Sequence, residues 1–194
     1  MTDESMRVSP LLGPGVNLDA LPPTERLMAR MRGIFAHRPR LAPAFTAFSS
    51  TLHREAELPP RLRELVRLRI AFHNQCRTCM SIRYQSAADD GVTEALVCQV
   101  ERPDSGEDLS GAERAALHFA ELFATDHLAI DDALFDELRQ YFDDGQIVEL
   151  SMICAHYVGS GRLMAIMRVT DELPDEARAD GVVGPWAIRE PIVL

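Results

Sequence analysis

The sequence predicts an all-α fold, and three observations carry that expectation. Apolar residues recur at helical spacing through most of the chain. Capping and breaking residues fall between those segments. No run alternates apolar and polar residues as a half-buried strand does. With 194 residues, 46 % of them hydrophobic and 26 % charged, the chain is long enough for one compact domain with a real core. The expected division is an N-terminal arm over 1–20, a helical domain over 21–170 and an irregular C-terminal arm over 171–194.

The arm at 1–20 has no period and carries Pro10, Gly13, Pro14 and Gly15. From Thr24 a helix places Leu27, Met31, Ile34 and Phe35 on one face and ends by Pro39. Leu41, Phe45, Phe48 and Leu52 form the face of a second helix, which stops before Pro59 and Pro60. Pro60 suits the first turn of a third helix carrying Leu62, Leu65, Val66 and Leu68 as far as Phe72. Cys76 to Ala88 is expected to be helical, closing at Asp89, Asp90 and Gly91. Thr93 caps a short helix to Val100, and the polar stretch Glu101 to Glu107 is a loop. Ser110 and Glu113 have capping-box spacing ahead of Ala116, Phe119, Leu122 and Phe123. Asp131 caps a helix through Leu134, Phe135, Leu138 and Phe142, and Gly145 separates it from the longest apolar helix, about Gln146 to Met167. The tail is irregular but ends in Trp186, Ile188, Ile192, Val193 and Leu194, which must pack somewhere, a neighbouring subunit included. At an offset of 85, Glu64 and Leu65 lie over Glu149 and Leu150, Arg77 over Arg162 and Arg83 over Arg168. Chance or a duplicated helix pair would each give that correspondence.

Composition excludes several chemistries. All 20 basic residues are arginine, so there is no Schiff-base lysine and no lysine-dependent phosphate loop. Thirty acids against them leave a net charge of −10, which repels a phosphate backbone and argues against nucleic acid. The first residues have no basic and apolar leader pattern, and the charge-free stretch Leu150 to Gly161 is shorter than the roughly 18 residues of a membrane span. A soluble, cytoplasmic protein without membrane contact is expected.

The chemistry concentrates between Glu64 and Arg83. Cys76 and Cys79 form a C-x-x-C, preceded by His73 and by an interruption at Asn74 and Gln75. That interruption puts Cys76 in the first turn of the next helix, where unsatisfied N–H groups favour a thiolate, with Cys79 one turn on along the same face. A cysteine with a pKa of about 8.5 is only a few per cent thiolate at neutral pH, whereas one near 7 is about half thiolate. If the chain reverses at Asn74 and Gln75, Glu64 comes level with Arg83 and Tyr84, His73 falls beside Cys76, and Glu64 and Arg83 can pair. If it runs straight, Glu64 is about 18 Å from Cys76. His73, Cys76 and Cys79 offer three metal ligands but no second Cys/His pair follows, so redox chemistry outweighs a metal site, and no cofactor is implied. Cys98 and Cys154 read as buried small hydrophobes, His156 as a core histidine, Tyr84 as boundary packing, and Gly159 and Gly161 as points of close helix approach.

The spacing Glu64-x11-Cys76-x2-Cys79 resembles the AhpD-like alkylhydroperoxidase branch of the carboxymuconolactone decarboxylase family. The segment Asp90 to Glu94 and the helix around His156 are also similar, and the resemblance covers roughly 38–168. It implies an AhpD-like helical domain assembling as trimers, hexamers or dimers, and peroxide reduction by a thiol pair. By the same resemblance Cys79 is the attacking thiolate, Cys76 resolves its sulfenic acid to a disulfide, and Glu64 takes part in proton transfer. The substrate class is hydrogen peroxide or small organic hydroperoxides, and the reductant a lipoyl-linked or thioredoxin-like dithiol. Elsewhere the family contains cofactor-free decarboxylases and lactone-processing enzymes; a non-catalytic redox-responsive oligomer is the third alternative. The sequence departs from the peroxidase pattern at Thr78 and Arg83, where that pattern has histidines. Arginine stays protonated and shuttles no proton, so His73 or water supplies the acid–base function, or turnover is slow.

Overall fold

The structure, a computed structural model, describes residues 6–194. The elements are α1 (Pro23–Phe35), α2 (Ala42–Arg54), α3 (Pro60–His73), α4 (Arg77–Ser81), a two-residue strand β1 (Ile82–Arg83), α5 (Gln85–Asp89) and α6 (Glu94–Gln99), followed by α7 (Gly111–Thr125), α8 (Asp132–Leu138), α9 (Asp144–Met167) and β2 (Ile192–Val193), with short 3-10 turns between. The fold is all-α, as the periodicity predicts.

Local signals position most helix ends. Ser110 and Glu113 form the expected capping box of α7, and the side chains of Thr93 and Asp131 cap α6 and α8. Asp143 caps α9 in a second capping box with Gln146, so Gly145 lies inside the first turn and does not precede the helix. Gly91, at φ 86°, supplies the left-handed turn that closes α5.

α3 is the central element. Every residue from Glu64 to Ala71 is buried. Leu62, Val66 and Ile70 pack into a core built with α7, α8 and α9 around Phe119, Leu138, Leu150 and Ile153. Leu65 and Leu68 face a second cluster with Leu96, Val97 and Leu117. Ala71 joins a third, which takes in Leu27 and Ile34 of α1, Cys76 and Met80, and Leu173, Ala177, Val183 and Ile188 of the C-terminal segment. The apolar tail therefore packs on its own chain. Ile192 and Val193 pair in parallel with Ile82 and Arg83, and the Trp186 ring packs, tilted, 4.8 Å from that of Phe72.

That pairing changes the expected helix from Cys76 to Ala88. Ile82 and Arg83 are extended, and the helix is divided into α4 and α5. The cause is tertiary: backbone groups that a helix would use internally bond to the tail, with Leu194 N–H donating to the Arg83 carbonyl at 2.9 Å. α9 runs straight through the positions corresponding to the Asn74–Gln75 interruption, so the offset-85 similarity is one of helical pattern and not of a repeated hairpin. Cys154 is buried, but Cys98 is exposed, contrary to its reading as core: α6 is a single short helix whose other side, Leu96 and Val97, faces inward.

Candidate active site

Of the two courses open at the interruption, the chain takes the reversal. Gln75 takes the left-handed conformation (φ 48°), the Gln75 N–H bonds to Phe72 O at 3.0 Å and the Cys76 N–H to Ala71 O at 3.1 Å. These two bonds are the Schellman closure of α3. A non-glycine there is strained by about 1 kcal/mol, and the Gln75 side chain offsets it. Its amide bonds to Phe72 O at 2.7 Å and Val183 O at 3.1 Å, and its oxygen accepts from Val183 N–H at 3.1 Å. Asn74 bonds through Nδ2 to Tyr157 O at 2.8 Å, in space that a side chain at Gly161 would occupy, so Gly161 is the close approach and Gly159 is not.

Cys76 is the N-cap of α4, its Sγ accepting from the Cys79 N–H at 3.2 Å, and the two cysteines are disulfide-bonded. Cys76 is fully buried. Cys79 is partly exposed and lines a cavity of about 140 Å³ with Arg67, Thr78, Tyr84, His156 and Tyr157. Met31, Phe35, Phe45, Ile82 and Met164 make the remainder of its wall mostly apolar.

The expected Glu64–Arg83 pair does not form. Both oxygens of Glu64 accept from Arg67 at 2.7 Å, in an i,i+3 pair on α3 that is almost wholly buried. Arg67 also donates to Cys79 O at 2.6 Å and Ile82 O at 2.7 Å, so it ties the thiol turn to α3. Arg83 turns to α6 instead, holding Glu94 through two 2.9 Å bonds, and spends its remaining donors on the carbonyls of Met80, Ile82 and Pro185. Extension of β1 rotates Arg83 away from α3, and Arg67 occupies the position facing Glu64.

His73 is not beside Cys76. It points toward α7, with Nε2 3.9 Å from Glu121, because the left-handed turn at Gln75 carries Cys76 to the other side. Thr78, where the family pattern has histidine, is buried and bonded to Val169 O at 2.8 Å. The histidines near the cavity are His156, expected to be a core residue, and His53, which no sequence pattern singled out. His156 lines it directly, under Phe45 and Phe48 at 5.8 and 5.5 Å. His53 hydrogen-bonds through Nε2 to the Tyr157 hydroxyl at 3.1 Å and lies 4.2 Å from the Tyr84 ring. Tyr84 and Tyr157 also line a narrow crevice that holds His53 and Glu64. The legible signals were helix registers: Glu64 to Arg67 at i,i+3, and His156 next to Tyr157 on the apolar helix.

Electrostatics keep these imidazoles neutral. Burial, then the Arg67 and Arg63 charges, push His53 down to about 4, against a smaller opposing effect of Glu64. Burial also lowers His156 and raises the phenols of Tyr84 and Tyr157. A depressed His53 has a stability consequence with a definite sign. Between about 6.5 and about 4 the unfolded chain binds a proton that the folded one refuses, so stability is full above that window and falls as the pH drops through it. The fully developed loss from this group is about 3 kcal/mol. Urea unfolding at pH 7 and pH 4.5 is expected to show a smaller stability difference for His53→Gln than for wild type; an equal difference would rule the assignment out.

Comparison with known proteins bears on the fold. Residues 39–122 match the carboxymuconolactone decarboxylase family. That segment contains Glu64, Cys76 and Cys79. The fold of the chain is similar to an uncharacterised peroxidase-related protein with an alkylhydroperoxidase AhpD core from Ralstonia eutropha, at 22 % identity and a TM-score of 0.64 over 91 % of this chain and 100 % of that one. It is also similar to the debrominase Bmp8, solved with 2,3,4-tribromopyrrole, at 23 % identity and a TM-score of 0.65 over 84 % and 90 % of the two chains. An uncharacterised protein of Mycobacterium tuberculosis is 39 % identical over 112 residues, which are 57 % of this chain. This chain spans only 39 % of that relative's length. Among the described residues no helix is long and apolar enough to cross a membrane.

Proposed function

We propose that this AhpD-like domain is a thiol-dependent oxidoreductase that reduces hydrogen peroxide or small organic hydroperoxides through Cys79 and Cys76. The observation that carries the reading is the bonded pair with unequal access: Cys79 opens into the cavity and Cys76 is buried behind it. In the reduced protein the Arg67 guanidinium beside the cavity favours a Cys79 thiolate. His156, neutral at pH 7, accepts the thiol proton. The thiolate attacks the distal peroxide oxygen and the O–O bond breaks, giving a Cys79 sulfenic acid and an alkoxide that takes the proton back from His156. The Cys76 thiol then attacks that sulfur, releasing water and forming the disulfide. A dithiol reductant, lipoyl-linked or thioredoxin-like, restores both thiols by becoming a disulfide itself. Glu64 acts through Arg67, holding it in place; Arg83 anchors α6 and the tail, and His73 has a packing role against α7.

The test is a thiol map of the reduced protein exposed to about one equivalent of hydroperoxide. A Cys76–Cys79 disulfide formed within seconds, with Cys98 and Cys154 still free, is the expected result. If all four thiols stay reduced, or oxidise slowly and indiscriminately, the reading fails and lactone acids become the substrates to test.

A homo-oligomer is part of the proposal. Leu41 at the start of α2 and Phe45 and Phe48 on it are 68, 37 and 39 % exposed, an apolar stripe of the kind that marks an interface. Sedimentation of Phe48→Glu is expected to shift the assembly toward monomer; an unchanged sedimentation coefficient would place the interface elsewhere.

A further inference from the structure

We infer that the C-terminal arm over 171–194 is a redox-sensitive strap: it docks more tightly when Cys76 and Cys79 are disulfide-bonded than when both are thiols, and so holds the pair oxidised. The arm's anchors converge on the C-x-x-C segment itself. Gln75, next to Cys76, clamps Val183, donating to its carbonyl and accepting from its N–H, each at 3.1 Å. Arg77, between the cysteines, donates to the Gly181 carbonyl. Beyond Cys79, Ile82 and Arg83 pair with Ile192 and Val193, and the Arg83 guanidinium donates to Pro185 O at 3.0 Å. Along the arm, Ala177, Val183 and Ile188 are buried in the same apolar cluster as Cys76 and Met80.

The platform that receives these anchors does not hold its own shape. α4 has five residues, far short of the roughly 12–15 at which an isolated helix becomes even marginal. Its conformation is set by its packing, by the cap in which Cys76 Sγ accepts the Cys79 N–H at 3.2 Å, and by the disulfide that closes the same turn. Breaking the cross-link returns conformational freedom to that turn, so docking the arm on it must then fix both partners at once. Docking on the disulfide form fixes only the arm. The coupling is reciprocal: whatever factor the disulfide adds to docking, docking adds to the disulfide against reduction. Release of the arm therefore makes the pair easier to reduce. The inference needs only a pair that cycles between disulfide and dithiol, and it holds whether or not a hydroperoxide is the oxidant.

The test is amide hydrogen exchange of the full chain, first oxidised and then reduced with dithiothreitol, which closes to its own disulfide as Cys76 and Cys79 take up two electrons and two protons. The N–H groups of Val183 and Leu194, bonded to Gln75 Oε1 and Arg83 O, report the arm, and those of Phe119 and Ala120 in α7 report the body of the fold. The arm amides are expected to exchange about tenfold faster in the reduced protein with those of α7 unchanged. Equal exchange in the two states, or an equal rise in α7, overturns the strap. A double variant, Val183→Asp with Ile188→Asp, puts two carboxylates into the buried cluster and should release the arm. Equilibrated against dithiothreitol, its disulfide is expected to be about tenfold easier to reduce than that of wild type, about 30 mV higher in potential. A wild-type potential in a folded variant whose arm amides are unprotected also overturns the proposal; if the variant does not fold, exchange in wild type decides alone.

Discussion

Cys79→Ser is expected to reduce hydroperoxide consumption by about a hundredfold or more, the scale on which loss of a group in the bond-making step is felt. Cys76→Ser is expected to behave differently. It should consume one equivalent and stall, leaving a Cys79 sulfenic acid that a carbon nucleophile such as dimedone traps and mass spectrometry detects. The asymmetry follows from access, since Cys79 lines the cavity and Cys76 is wholly buried. His156→Asn should retain the single equivalent but slow its consumption about a hundredfold, as loss of a proton carrier does. Equal behaviour of the two serine variants would reverse or remove the assigned roles. Turnover of a lactone acid by the double serine variant would move the domain to the family's decarboxylase-like chemistry.

Arg67→Met is expected to be the most damaging substitution for stability. It leaves the Glu64 carboxylate buried without a partner and removes the two bonds that tie Cys79 O and Ile82 O to α3. Breaking a buried ion pair from one side costs about 3–5 kcal/mol. Combining it with Glu64→Gln removes the orphaned charge and should recover part of that loss, but not the part due to the two carbonyls. Denaturant unfolding of wild type, both single variants and the double variant measures the coupling. An Arg67→Met protein within about 1 kcal/mol of wild type would show that the pair does not organise the thiol turn.

The damage expected at Arg67 illustrates where reading the sequence succeeds and where it stops. Helix positions were legible because caps and periodicity are local: Ser110 with Glu113, Thr93, Asp131 and the prolines at 59 and 60 act within one turn of themselves. The interruption at Asn74 and Gln75 was legible for the same reason, and with it the placing of Cys76 at a helix start, whereas the reversal itself was left open between two courses. The partner of Glu64 was not. Arg67, Arg69 and Arg83 are the same residue type on neighbouring turns, and a helical wheel assigns charged residues to solvent. From Glu64 to Ala71 α3 contradicts that rule because other elements surround it, so Arg67 and Arg69 are buried and must find carboxylates and carbonyls, Arg69 reaching Val100 O and Glu121. His156 read as core and His53 was passed over, because a histidine far away in sequence gives no local sign that it will line a cavity beside a thiol, as His156 does, or hold a tyrosine of its wall, as His53 does.

The sequence by itself determined the all-helical class, most helix ends, the interruption that starts a helix at the C-x-x-C and the resemblance on which the proposed chemistry draws, since each depends on residues within a few positions of one another. The tertiary structure alone decided that the tail pairs with Ile82 and Arg83, that Arg67 and not Arg83 meets Glu64, and that Tyr157, His53 and His156 gather near Cys79. Those contacts join segments tens of residues apart, and which of several equivalent side chains makes them is settled only when the buried charges and backbone groups are satisfied together.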